Sequence, residues 1–201
     1  MSRGDYERFL YLLWVCNDKK PLLNSQFHYR GLASIEKRER EELVDIVCFC
    51  LMSNHYHLLL RQKTDNGIST FMQKIGTGYT MYFNEKQGRN GSLFQGTFKA
   101  KHIDQEEYLT HLTRYVHLNP AEIKEPYWKE KGIQNQKTTY EFVKKYPWSS
   151  LSDYLGEGRF GAILNPGLLS QLYETSKEYE DFVKSWLSKD LNLISNYTIE
   201  A

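Results

Sequence analysis

The sequence predicts an α+β fold, an antiparallel β-hairpin with helices packed on it, and three observations carry that prediction. Val44 to Leu51 is a run of apolar and β-branched residues broken only by Asp45, and residues 55–61 read as a second strand after the tight turn Ser53-Asn54, so the two form a hairpin. Residues 5–16 precede this hairpin with an acidic first turn and a dense apolar stretch, the pattern of a short helix. Residues 67–84 follow it, with Ile68, Phe71, Met72, Ile75, Tyr79 and Tyr82 at near-helical spacing. Gly76 and Gly78 weaken that helix without cancelling it.

The remaining elements are read in chain order. Residues 21–31 are polar and irregular, and the charged stretch 34–42 is expected to be a solvated helix. Residues 87–91 form a loop and 92–103 an extended strand-like segment. Asp104 is placed to cap a helix over 105–118, which Pro120 helps to stop. Beyond Glu122 the chain is polar through Thr139; Pro147-Trp148-Ser149-Ser150 and an amphipathic helix around 177–194 come later. Helix, hairpin, helix, strand, helix is most of a split β-α-β arrangement, the ferredoxin-like plan, short of one strand. The expected organisation is one domain over 1–123 and a mostly helical C-terminal extension, 124–201, packed on it.

Composition narrows the function classes. A formal net charge of +1 gives no global footprint for duplex DNA, so any nucleic-acid surface is a local patch. Three cysteines without Cys-x-x-Cys spacing fit reduced, buried thiols and exclude a disulfide framework or zinc knuckle. No apolar run approaches the ~20 residues that span a bilayer, and residues 1–5 lack the plan of a signal peptide. The expectation is a soluble, cytoplasmic protein with no membrane partner. No His-Glu-x-x-His occurs, which excludes a zinc protease of that type, and no RNP-type aromatic strand supports an RNA-binding sheet.

His55-Tyr56-His57 carries the chemistry. Strand residues alternate faces, so both imidazoles project from one face, while Tyr56, Leu58 and Leu60 take the other and pack on helices 5–16 and 67–84. Two imidazoles on a rigid strand chelate one divalent cation if a third ligand and open positions exist. A bare His-x-His is more often one satisfied polar group and one exposed ring, so the pair alone decides nothing.

Downstream, His111, Tyr115 and Asn119 are spaced four apart and share one helix face. Laid across the histidine face, that helix offers the Asn119 amide oxygen as a third ligand and the Tyr115 phenol beside the cation. A phenol with pKa about 10 is a poor nucleophile until a cation or base stabilises the phenolate. The bland alternatives are core packing for Tyr115, one of 15 tyrosines, and helix capping for Asn119. For His111 and His117, capping or surface exposure is expected rather than metal binding.

Leu51-Met52-Ser53-Asn54-His55-Tyr56-His57-Leu58-Leu59-Leu60 resembles the histidine–hydrophobic–histidine block of single-tyrosine HUH transposases. Tyr79-Thr80-Met81-Tyr82-Phe83-Asn84, the segment from Gly91-Ser92-Leu93-Phe94-Gln95-Gly96-Thr97-Phe98 to Lys99-Ala100, and Arg114-Tyr115-Val116-His117-Leu118-Asn119-Pro120 look like the blocks that follow in REP-associated tyrosine transposases. The blocks stand in the right order over residues 43–120, and Pro147 to Ser150 is also similar. The resemblance implies a ferredoxin-like HUH domain, magnesium or manganese, and single-stranded or hairpin DNA that is nicked and rejoined. It makes His55 and His57 metal ligands, Asn119 the third-ligand candidate, and Tyr115 the nucleophile that becomes a covalent 5′-phosphotyrosine. Ser53 stands where these proteins usually have Pro, and Thr97 where Arg is usual. Family members begin with a Tyr-His-x-x-Asn-Arg-Gly strand beside the histidine strand, of which Ser2-Arg3-Gly4 remains. The unpaired edge so left is expected to pair with a second copy, as a homodimer, or to take in another segment. The alternative is a truncated or domesticated relative that holds hairpin DNA without cutting it.

Residues 86–101 supply the expected DNA contacts. Lys86, Arg89, Lys99 and Lys101 come with no acid among them, and Arg114 beside the nucleophile is a candidate phosphate clamp. Alternation along the extended segment assigns Phe94 and Phe98 to the core.

Overall fold

The computed structural model describes residues 1–21, 35, 39–165, 167 and 173–187, without the side chains of residues 106, 107 and 129. The fold is α+β, with one two-stranded antiparallel sheet among the described residues. Two compact units divide the chain: residues 1–45 with 60–98, and residues 46–59 with 99–201. The boundary expected near residue 123 falls inside the second unit.

In the first unit, α1 (Arg3–Val15) and α2 (Gly67–Gln87) pack together, with Phe9 edge-on to Tyr79 at 5.1 Å between centroids. Asp5 closes the α1 N-terminus by accepting from the Ser2 backbone N–H at 2.6 Å, and Lys86 and the Tyr82 hydroxyl reach the same carboxylate. Burial alone raises the carboxyl, but these donors outweigh it and hold Asp5 down at about 2. Gly67 begins α2 because a Cβ there would lie 2.3 Å from the Leu43 carbonyl oxygen. Gly88, at φ 60°, ends α2 three residues later than the spacing predicted, by turning left-handed and donating to Glu85 and Asn84.

The hairpin is β1 (Val44–Leu51) and β2 (Tyr56–Gln62), closed by Met52 N–H donating to the His55 carbonyl at 2.9 Å. Every residue of β1 is buried, including Asp45, whose carboxylate takes Arg61 at 2.6 Å and Lys63 at 3.4 Å. Residues 39–42 are not helical; residues 22–34 and 36–38, the rest of the two preceding expectations, lie outside the described residues. No strand forms over 92–103. Gly91 and Gly96, at φ 92° and 136°, bend the backbone out of the strand region. Phe98 is 38% exposed rather than core, while Phe94 is half-buried near Tyr79.

The second unit holds α3 (Glu106–Leu118), α4 (Ala121–Lys124), α5 (Trp128–Lys131), α6 (Gln136–Lys144), α7 (Leu151–Tyr154) and α8 (Ser176–Lys184). Gln105, not Asp104, takes the N-cap position of α3. A capping box of Thr175 and Glu178 starts α8, which stops at Lys184, ten residues short of the expected end; residues 188–201 lie outside the described residues. Helices α4 to α6 occupy the stretch the sequence pattern left as polar chain, too short for periodicity to reveal. Val47, Leu59, Tyr115, Val116, Val143, Tyr179 and Trp186 share one core.

Another segment does take an edge of the hairpin, but it is the edge of β1. Leu51 N–H donates to the Trp148 carbonyl and Ser150 N–H to the Phe49 carbonyl, with an antiparallel bridge between Cys50 and Ser149. The Ser150 hydroxyl accepts from Phe49 N–H at 2.9 Å, and the Tyr146 and Tyr154 hydroxyls donate to the Leu51 and Val47 carbonyls at 2.8 and 2.6 Å. These five groups satisfy β1 backbone where a strand would otherwise pair.

Candidate active site

The site forms within the second unit, where the hairpin turn meets α3. His55 and His57 present adjacent rings, centroids 5.0 Å apart and nearly perpendicular at 88°. The Tyr115 ring lies edge-on to His57 at 5.7 Å. Through Tyr115, α3 therefore lies against the histidine face, on which both rings stay half-buried and Leu59, which alternates onto it, is 6% exposed. Leu58 and Leu60, expected to be the packed face, are half-buried. His55 Nδ1 sits 2.9 Å from the Asn54 side-chain oxygen, an acceptor that places the ring proton on Nδ1 and leaves the lone pair on Nε2.

Asn119 divides its amide between two tasks. Its Nδ2 donates to the Tyr115 carbonyl at 2.9 Å, capping the helix end as the bland reading anticipated. Its Oδ1 is buried and has no hydrogen-bond partner among the described residues. A buried amide oxygen left unsatisfied costs about 1–3 kcal/mol unless a ligand takes it. One helical turn from Tyr115, this oxygen has the chemistry of a third metal ligand. No cluster of three or more His, Cys, Asp or Glu forms among the described residues, so a cation here depends on two imidazoles and this neutral amide.

Other expectations fare differently. Arg114 is 3% exposed and is not placed to clamp a phosphate: its guanidinium lies 3.8 Å from the Trp186 ring centroid and 4.1 Å from that of Phe182. Lys86 spends its charge on Asp5 at 2.5 Å, whereas Arg89, Lys99 and Lys101 are exposed. His111 stacks on Trp186 and bonds Arg114 at 2.6 Å. His117, expected to cap or be exposed, is fully buried, with Nδ1 2.6 Å from the Tyr179 hydroxyl and Nε2 2.8 Å from that of Ser150. Burial pushes its pKa down to about 3, so it is neutral at pH 7. Apart from His111 on the same helix, the hydrogen-bond partners of Arg114 and His117 are 33 to 71 residues away, beyond the reach of helical spacing. The cysteines are free and buried as expected, and burial raises Cys16 to about 12.

No helix among the described residues is long and apolar enough to cross a membrane. No curated protein and no solved structure matches the chain. A family model described as "Transposase IS200 like" matches residues 7–119, a span that begins in α1, takes in both histidines and Tyr115, and ends on Asn119. The family is one of generally divalent-metal-dependent DNA transposases. With more than half of its residues inside that match, the chain belongs to the IS200-like transposase family, whose members cleave and rejoin DNA.

Proposed function

We propose that the chain is a single-tyrosine HUH transposase of the REP-associated kind, which nicks and rejoins single-stranded or hairpin DNA through Tyr115. The observation that carries this reading is the juxtaposition of the Tyr115 ring with the histidine pair, 5.7 Å from His57. The phenol oxygen bonds to the scissile phosphorus as the bond to the 3′-oxygen breaks; the phenol loses a proton and the 3′-oxygen gains one. The 5′-phosphotyrosine keeps the bond energy, so the 3′-hydroxyl of another strand end restores the DNA by the reverse step. Tyr115 is 3% exposed, so the phosphate reaches it once neighbouring side chains part. His55, His57 and Asn119 would hold magnesium or manganese, which when bound polarises the phosphate and stabilises the phenolate. Arg89, Lys99 and Lys101 supply backbone contacts.

The test is a labelled pool of hairpin oligonucleotides with randomised flanks, incubated with protein and manganese. The expected product is a protease-sensitive DNA adduct. Chelation with EDTA is expected to abolish the adduct while DNA stays bound. Binding without adduct at any manganese concentration would point instead to a relative that only holds DNA.

Two further outcomes follow from the residues. Asn119→Leu is expected to raise the manganese concentration for half-maximal adduct by at least about tenfold, given how strongly ligand-sphere losses weaken metal sites. An unchanged titration would remove Asn119 from the ligand set. Neutralising Arg89, Lys99 and Lys101 to Gln is expected to flatten the salt dependence of DNA binding by a slope of about 2, at ~0.7 per lost single-strand contact. A slope equal to wild type would place the DNA elsewhere.

A further inference from the structure

The Arg114 guanidinium is held on every side the structure describes, and none of what holds it is an acid. It lies between the rings of Trp186 and Phe182 at 3.8 and 4.1 Å. It donates to the Phe182 carbonyl at 3.3 Å and the Ser185 hydroxyl at 3.4 Å, and meets His111 Nδ1 at 2.6 Å. Burial lowers its pKa to about 10, and its Nε has no hydrogen-bond partner among the described residues. A buried cation without a carboxylate is a costly way to fill space, and an apolar side chain of similar volume is commonly neutral or better for stability. What a planar five-donor fork between two rings provides is fixed orientation. The residue it orients is its neighbour in the chain, Tyr115.

We infer that Arg114 is a positioning residue: gripped by the end of α8 and the two residues after it, it sets the rotation of α3 about its own axis and so the placement of Tyr115 against the histidine pair. This rests on the reading of Tyr115 as nucleophile. His111, stacked on Trp186, and His117, bonded to Tyr179, hold the same helix to the same C-terminal segment on either side of Arg114. Tyr115 and Asn119 lie about 100° and 140° round the helix from Arg114, on the side where His111 also stands. The lever is sensitive. With side chains at a radius of about 6 Å from the helix axis, a rotation of about 10° moves the ring by about 1 Å. A displacement of about 1 Å at a reacting group costs on the order of 100-fold in rate.

The test uses the full chain, the randomised hairpin pool and manganese, and reads three quantities: the single-turnover rate of adduct formation, DNA affinity and Tm. Arg114→Lys keeps the charge and loses the fork and the stacking. It is expected to slow adduct formation 10- to 100-fold with DNA affinity within about twofold of wild type. Trp186→Leu removes one wall of the grip from the α8 side and is expected to give the same selective loss, which decides the matter if Arg114→Lys does not fold. Phe160→Leu, which disturbs packing on Phe49 in the same unit at 5.2 Å, is the control for lost stability and is expected to react within about threefold of wild type. A wild-type rate in Arg114→Lys and Trp186→Leu overturns the inference. So does a rate loss matched by lost affinity, which makes Arg114 a DNA contact, or an equal loss in Phe160→Leu, which makes its role merely structural. Tyr115→Phe is run beside them: an adduct that persists there, or none with wild type, defeats the parent reading separately.

Discussion

Tyr115→Phe is expected to eliminate the covalent DNA adduct, lowering its formation by on the order of 10³-fold or more, while the protein still folds and binds DNA. The size follows from chemistry: the variant lacks the oxygen that forms the bond to phosphorus, and no rearrangement of α3 supplies another. The fold survives because the ring, 3% exposed and part of the core with Val116 and Leu118, is retained. Denaturing gels of labelled DNA with and without protease read the adduct, and thermal melts read the fold. Full adduct in the variant would assign the nucleophile to another side chain.

Acid should destabilise the second unit through His117. Its folded-state pKa of about 3 lies below the ordinary 6.5, so the unfolded chain takes the proton first. Stability from this group is complete above about pH 6.5 and falls as pH drops towards 3, by about 1.4 kcal/mol per pH unit. Between pH 6.5 and 5 the loss is about 2 kcal/mol. The groups facing the ring are Ser150, Tyr154 and Tyr179, none of which titrates in that interval: Ser150 is a hydroxyl, and burial raises both phenols. His117→Gln, which can still donate and accept, should flatten the slope; denaturant melts of metal-free protein from pH 7 to 5 measure it. Equal slopes in the two proteins would assign the acid sensitivity elsewhere.

The hairpin was legible because β1 is an apolar run broken only by Asp45 and a second extended stretch follows it across a two-residue turn, a local signal. The α1 and α2 helices were legible from spacing, and the histidine pair from strand alternation. Asn119 shows that capping does not use up the amide: the nitrogen caps the helix end, while the buried oxygen keeps no hydrogen-bond partner among the described residues, which is what the proposed ligation needs. Arg114 and His117 have surroundings that come from residues 179–186 and from Ser150, and no periodicity within α3 encodes a partner 62 residues on. The segment 92–103 misled because its residues suit a strand, while Gly91 and Gly96 turn the backbone away.

The seam along β1 also has a history in time. Ser150 secures Phe49 across 101 residues of sequence, so during synthesis the first half of the protein waits for the second with hydrogen-bonding groups bare. A nascent or clipped chain that stops before Tyr146 presents a sticky ribbon to its neighbours, and clumping rather than mere inactivity is its expected fate.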